Sequence, residues 1–137
     1  MIDTAEAARQ FAERWAASWN RLDLESVLEH FADDVVFTSP TALALLGDGT
    51  VRGKSALRAY WAAGLGRIGS LHFTVDRVLW DPRQRELAII YTSTIDGTTK
   101  RVSENLLFDQ SGQVSAGEVF HGVTASAAPP ASGPGRA

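Results

Sequence analysis

The chain has 137 residues, 45% of them hydrophobic and 21% charged, with a formal net charge of −3 at pH 7. This length and composition predict one globular domain with a single core. The absence of cysteine excludes disulfides, a thiol nucleophile and a thiolate metal site, and the three widely separated histidines have no metal-binding spacing.

The net negative charge also limits the kinds of molecule that the chain is expected to bind. No run of Lys and Arg alternates with aromatic residues, so binding to nucleic acid or to an anionic membrane is not expected. The first ten residues lack the basic and apolar blocks of a signal peptide, and no apolar run approaches the ~20 residues that span a bilayer. We therefore expect a cytoplasmic protein.

Hydrophobic periodicity predicts three helices in the first half of the chain, over 4–20, 24–32 and 54–65. In the first, Phe11, Trp15 and Trp19 recur every four residues, which places large aromatic side chains on one face. The second is marked by a single apolar stripe that ends at Phe31. The side chains expected to be largely buried are Trp15, Trp19, Phe31 and Leu57.

The segment between the second and third helices is less regular. Residues 35–37 are β-formers, and Pro40 is expected to end that strand. Residues 41–53 combine three leucines with the turn-forming sequence Gly47, Asp48, Gly49. They are predicted to form a partly buried loop.

From Leu71 onward the hydrophobic period changes to two, which predicts four strands, over 71–80, 86–95, 100–108 and 113–123. Short gaps rich in turn residues make them antiparallel neighbours. Helices followed by such a sheet define an α+β fold in which the helices cover one sheet face. Because the first of these strands is apolar in both parities, the outer face also has surface to bury, which predicts a homodimer through the sheet.

The C-terminal residues 124–137 consist mainly of Ala, Pro, Gly and Ser, with a single charge. Such a composition cannot build a core, so this segment is predicted to be a disordered tail. The folded domain is accordingly expected to span 1–123.

Four segments, in this order, carry a family resemblance: WNRLDLESVLEHFADDVVFTSP, VRGKSALRAYW, ENLLFDQSGQV and EVFHG. Over 11–123 the chain resembles the nuclear transport factor 2-like (NTF2-like) superfamily, in its SnoaL-like and ketosteroid-isomerase-like branch. The resemblance implies a conical barrel in which a strongly curved antiparallel sheet wraps around three N-terminal helices. It also implies a mostly apolar pocket in the mouth of the cone and a dimer through the outer sheet face.

The resemblance does not define an activity, because the same cone hosts isomerases, dehydratases, epoxide hydrolases, polyketide cyclases and proteins that only bind. In ketosteroid isomerases an aspartate before a proline is the base, and a tyrosine and a carboxylic acid donate to the developing oxyanion. The resemblance places these roles at Ser39, Trp15 and Glu104. Only Glu104 keeps matching chemistry, since an unpartnered serine cannot take a carbon-bound proton at neutral pH and an indole N–H donates weakly.

Glu104 and His121 are the predicted catalytic residues. Glu104 shares one strand face with Val102 and Leu106, where apolar surroundings would raise its pKa and make it an acid or base. The alternative is a structural carboxylate paired with a nearby cation or exposed on the outer face. The resemblance points His121 into the cone. If Glu104 and His121 are in contact, the pair would share a proton. If they are apart, Glu104 alone would have a raised pKa, and His121 would form hydrogen bonds with water or a carbonyl group.

The predicted ligand-binding residues are Trp15, Phe37, Ser39, Tyr60 and Trp61. Aromatic residues in such positions are more often core than ligand contacts, and Ser39 is alternatively a plain strand-end serine. Even as core, the aromatic rings can line the cone and favour a flat or aromatic ligand. A phenolic donor is expected from either Tyr60 or Tyr91.

The leading hypothesis is a SnoaL-like small-molecule pocket protein for an apolar ligand. It would be either a cofactor-independent acid–base enzyme, in the isomerase, dehydratase, cyclase or epoxide hydrolase class, or a binder. The alternative is a non-catalytic ligand-binding, dimerisation or protein-interaction module. A cavity of ~300 Å³ or more with Glu104 at its wall favours the first hypothesis, whereas Trp15 and Trp61 packed across the mouth favour the second.

Overall fold

The structure, a computed structural model, describes residues 2–125. The helices are α1 (Ala5–Asn20), α2 (Leu24–Leu28), α3 (Pro40–Leu46) and α4 (Lys54–Leu65). The strands are β1 (Phe31–Thr38), β2 (Thr50–Arg52), β3 (Leu71–Asp81), β4 (Glu86–Ile95), β5 (Thr98–Phe108) and β6 (Val114–Ala125). None of the described helices is long and apolar enough to cross a bilayer.

The strands form one curved, unclosed sheet in the order β2-β1-β6-β5-β4-β3. The last four strands pair as an antiparallel meander, which confirms the predicted α+β class. β1 runs parallel to β6 and carries β2 on its other edge. Register breaks interrupt β3 between Val75 and Arg77, and β6 between His121 and Thr124, and such bulges bend a strand and increase its twist.

The apolar face of α1 packs into the concave face of the sheet. Phe11, Trp15 and Trp19 are all buried there, as their four-residue spacing predicted. Phe31 and Leu57 have no exposed surface, so the predicted burial of both is confirmed. The core therefore lies between α1, α4 and the inner face of the sheet.

The second predicted helix, over 24–32, is too long, because α2 ends at Leu28. Phe31 is the first residue of β1. The reason is a sheet contact, in which the backbone N–H of Val114 donates to the carbonyl oxygen of His30 at 2.8 Å and draws the chain to the edge of β6. Buried positions continue across the change from helix to strand, so the apolar pattern alone does not mark it.

The loop predicted over 41–53 is also wrong, since this segment contains helix α3 and strand β2. Ser39 caps α3 by accepting a hydrogen bond from the backbone N–H of Thr41 at 3.1 Å, and Pro40 occupies the first helical position. Gly47 ends the helix in the left-handed conformation, with φ of 78°. The Ser-Pro pair therefore ends one element and begins the next.

At the C-terminal end, β6 continues to Ala125, two residues past the boundary expected at 123. The rest of the predicted tail, 126–137, lies outside the described residues.

Candidate functional site

A cavity of about 510 Å³ lies between the concave face of the sheet and helices α1, α3 and α4. This volume exceeds the ~300 Å³ typical of the smallest ligand pockets, which favours a pocket protein over a cone filled by its own side chains. Much of its wall is aromatic. The aromatic residues that line it are Trp19, Phe37, Tyr60, Trp61, Phe73 and Tyr91.

Three alternate residues of β5 line this central cavity at different depths. Glu104 and Val102 line it and are buried, whereas Lys100 lines it and is partly exposed. Directly opposite Val102 lie Tyr91 on β4 and His121 on β6. The cavity therefore runs along β5 from a buried end at Glu104 to an open end at Lys100.

Glu104 forms a buried hydrogen-bonded pair with Tyr91. The Tyr91 hydroxyl donates to Oε1 of Glu104 at 3.1 Å. Burial raises the pKa of Glu104 from 4.5 to about 7, and the hydrogen bond from Tyr91 opposes this rise. Burial, reinforced by the neighbouring Glu104 charge, raises the pKa of Tyr91 well above its ordinary value, so Tyr91 remains a protonated donor.

Trp15, predicted as a ligand contact, does not line the cavity and packs behind Tyr91 instead. Its ring meets the Tyr91 ring edge-on, with centroids 5.0 Å apart, and stacks on Phe73 at 5.5 Å. Phe73 is held in turn by Asn20, whose amide donates to the Phe73 carbonyl at 3.0 Å and accepts from its N–H at 2.7 Å. Trp15 thus fixes the position of the Tyr91 ring.

The other four predicted ligand residues, Phe37, Ser39, Tyr60 and Trp61, all line the cavity. The hydroxyl oxygens of Ser39 and Tyr60 lie 3.5 Å apart, so the capping residue of α3 also contacts the phenol of α4. Burial raises the pKa of Tyr60, with a smaller contribution of the same sign from the Glu104 charge. Its phenol therefore stays a neutral donor over the physiological pH range.

His121 lines the open end of the cavity and is exposed. Its pKa is lowered, first by partial burial and then by the Lys100 charge, so the imidazole is neutral at neutral pH. The side chain that hydrogen-bonds Glu104 is Tyr91, and no hydrogen bond joins Glu104 to His121. The structure therefore has Glu104 and His121 apart, which is the second of the two arrangements expected from the sequence. Within residues 2–125, no group of three or more His, Asp or Glu side chains could hold a metal ion.

Sequence reasoning left the partner of Glu104 open, although one signal identifies it. Asp96 and Gly97 both have positive φ and form a two-residue turn between β4 and β5. Counting pairs back from this turn places Tyr91 opposite Val102, on the same inward face as Glu104. Hairpin register, rather than hydrophobic pattern, is thus the feature that brings the phenol and the carboxyl together.

The curved sheet around α1, with a cavity at its mouth, is the NTF2-like fold. It is similar in structure to an NTF2-like protein of unknown function from Cytophaga hutchinsonii, with a TM-score of 0.62, 11% identity and coverage of 89% of this chain and 93% of that one. The epoxide hydrolase/cyclase-like enzyme SalBIII, which has a role in pyran ring formation in polyether salinomycin, has the same fold. That comparison gives a TM-score of 0.67, 12% identity and coverage of 85% and 92%.

A family model for the SnoaL-like domain matches residues 12–123, and this chain belongs to that family. A SnoaL-like protein of unknown function from Burkholderia thailandensis is 30% identical, with a TM-score of 0.79 over 88% of this chain and 98% of that one. No protein of curated function matches the chain.

Proposed function

We propose that this chain binds an apolar small molecule in the central cavity and uses Glu104 for cofactor-independent acid–base chemistry, of the isomerase, dehydratase, cyclase or epoxide hydrolase class. The observation that carries the proposal is a buried carboxyl at the wall of a ligand-sized cavity. Because its pKa is about 7, both protonation states are populated at neutral pH. Such a group can take up a proton and return it without a large free-energy cost.

Proton transfer next to a carbonyl group illustrates the chemistry. Ionised Glu104 takes a proton from the carbon beside the carbonyl, and the C–H electron pair moves to form an enolate. The Tyr60 phenol, which remains a donor, stabilises the enolate oxygen by a hydrogen bond. Glu104 then returns the same proton to a different carbon, which yields an isomer and regenerates the carboxylate.

The remaining residues have supporting roles in this proposal. Tyr91 orients the Glu104 carboxyl and lowers its pKa toward neutrality. His121, neutral at the open end, offers a hydrogen bond to the ligand there. Phe37 and Trp61 provide flat apolar contacts, which suit an aromatic or polycyclic ligand.

A second candidate is ligand binding without catalysis. It is favoured by one observation, namely that the Glu104 carboxyl accepts a hydrogen bond from Tyr91, a side chain of the protein itself. In this candidate, Glu104 orients a ligand oxygen and exchanges no proton with it. The two candidates share the cavity and differ in whether Glu104 exchanges protons with the ligand.

We also propose that the chain is a homodimer through the outer face of the sheet. Large apolar side chains project from this face, among them Leu79 at 60% exposed and Phe120 at 52% exposed. Apolar surface of this kind is commonly covered by a partner, and a second copy of the chain would bury both side chains. The strands that would meet are those over 71–80, 86–95 and 113–123.

Deuterium exchange tests the catalytic candidate. The probe is a bicyclic ketone, 2-decalone, and proton NMR follows loss of the hydrogens next to its carbonyl in heavy water. The wild-type chain is expected to accelerate exchange, and Glu104→Gln to reduce this acceleration by about 10²- to 10⁴-fold. Glu118→Gln, at an exposed position of β6, is the matched control. If the ketone binds but its deuterium exchange is not accelerated, catalysis is contradicted and only the second candidate, ligand binding without catalysis, remains.

A further inference from the structure

The charged side chains around the central cavity are unevenly distributed. Arg67, which is exposed, and Lys100, which is partly exposed, both line it, whereas Glu104 is buried. Neither cation forms an ion pair within the part of the chain that the structure describes. Arg101, the next residue along β5, points outward and does have an acid partner, Asp76 at 2.7 Å. The chain has a net charge of −3, so acidic residues outnumber basic ones. Even so, the two cations at the cavity have no carboxylate partner among the described residues.

The acidic residue in the turn before Lys100 does not neutralise the positive charge at the open end of the cavity. Asp96, in the turn between β4 and β5, does not line the cavity. Its Oδ1 accepts hydrogen bonds from the backbone N–H groups of Gly69 and Ser70, at 2.8 and 2.9 Å. The carboxylate is therefore committed to joining this turn to the segment before β3.

The separation between the two polar ends sets a length for the ligand. Lys100 and Glu104 are four residues apart on the same face of β5, which corresponds to about 13 Å along a strand. Between them lies Val102, with Tyr91 on β4 and His121 on β6 beside it, and most of the remaining wall is apolar or aromatic. The cavity thus presents cations at its open end, an apolar middle, and a carboxyl at its buried end.

We propose that the ligand is an apolar organic acid whose carboxylate lies between Lys100 and Arg67 and whose carbonyl or hydroxyl oxygen reaches Glu104. This inference rests on the proposed binding function and adds the substrate class. A carboxylate would supply the acid partner that both cations lack, and charge-assisted hydrogen bonds to it are stronger than neutral ones. A cationic ligand would be repelled at the same place, and a neutral one would form weaker hydrogen bonds with either residue.

Calorimetric titration with two matched probes tests this. The acid probe is para-(para-hydroxyphenyl)benzoate, which carries a phenol and a carboxylate at opposite ends of a flat apolar body, and its methyl ester is the neutral counterpart. The wild-type chain is expected to bind the acid more tightly. Lys100→Met should weaken binding of the acid by roughly two- to fivefold, since the contact is partly exposed, and should leave the affinity for the ester unchanged. Arg83→Met, an exposed position in the β3–β4 turn, removes the same charge and should change neither affinity.

The outcomes separate the inference from the proposed function. If the ester binds as tightly as the acid and Lys100→Met changes neither, the anionic ligand class is overturned while binding in the cavity stands. If neither probe binds to the wild-type chain, the ligand class and the binding function are both overturned. Should Lys100→Met fail to fold, as judged by thermal denaturation, Arg67→Met is the second variant, and the same selective loss of acid binding is expected.

Discussion

The Tyr91 hydroxyl and the Glu104 carboxyl form a 3.1 Å hydrogen bond between two side chains that are each only 4% exposed. The bond favours the ionised carboxylate, whereas burial favours the neutral acid. Burial is the larger effect, and the result is a pKa of about 7. The Tyr91 phenol therefore limits how far the pKa of Glu104 rises above that of an ordinary glutamate.

Tyr91→Phe is expected to raise the pKa of Glu104 further, because it removes the hydrogen bond that stabilises the ionised form. Infrared spectra distinguish protonated from ionised carboxyl groups and follow this change with pH. The unpaired buried acceptor should also lower the free energy of unfolding by about 1–3 kcal/mol. Tyr60→Phe, which removes a cavity phenol bonded to Ser39, is the control. An unchanged Glu104 midpoint in Tyr91→Phe would contradict the coupling.

Glu104 should make stability fall as pH rises. Its pKa is about 7 in the folded chain against an ordinary 4.5, so between these values the folded state holds a proton that the unfolded state has lost. The stabilisation by the neutral carboxyl is fully present below the lower value and is lost as pH passes through the upper one. The difference between the two pKa values corresponds to about 3 kcal/mol.

Glu104→Gln keeps the shape of the side chain without the charge. Between about pH 5 and pH 8, the stability of the variant relative to the wild type should therefore increase by about 2–3 kcal/mol, because only the wild type loses the stabilisation by the neutral carboxyl. Urea denaturation of both chains at the two pH values measures this. Parallel pH profiles for the variant and the wild type would show that Glu104 is not a buried titrating group.

Gly117 on β6 is expected to tolerate no side chain. An added Cβ would lie 2.8 Å from Cδ1 of Phe37 and 3.2 Å from Cδ2 of Leu106. Because both neighbours are buried, Gly117→Ala should destabilise by about 1–3 kcal/mol and disturb the cavity wall through Phe37. Gly64→Ala, in α4, has open space at the same point and should stabilise by about 0.5–1 kcal/mol. Equal effects of both changes in chemical denaturation would argue against this packing.

Phe120→Glu tests the dimer. If the outer face of the sheet is the interface, a charge at this exposed ring should convert a dimer into a monomer in light scattering at micromolar concentration. Leu43→Glu replaces another exposed apolar residue, on α3, and should leave the mass unchanged. A wild-type chain of monomer mass would overturn the proposed assembly.

The helices and the meander were predictable because their patterns are long. α1, α4 and β3 to β6 each extend over ten or more residues, which is long enough for the helical or strand period to stand out. The errors fall where a pattern is short or shared, as at Phe31, which continues an apolar stripe while already belonging to β1. Pro40 was interpreted only as the end of a strand, although with Ser39 it also begins α3.

The site was predictable in part for a related reason. Strand alternation placed Glu104 among apolar neighbours, and it is buried as expected. The orientation of Tyr91 could not be predicted from hydrophobicity, because β4 is apolar in both parities, with Leu87 and Ile89 on one face and Ala88 and Ile90 on the other. The cavity volume, and the two cations at the cavity that have no ion-pair partner among residues 2–125, depend on long-range packing, which no local pattern encodes.

The ionisation of Glu104 itself is the most direct test of a buried acid–base centre. Carbon-13 NMR of the labelled glutamate carboxyls, with the Glu104 signal assigned by its loss in Glu104→Gln, follows the midpoint as pH is varied. A midpoint at about 7 is expected from the burial of the carboxyl and its bond to Tyr91. A midpoint near the ordinary value of 4.5 would contradict it.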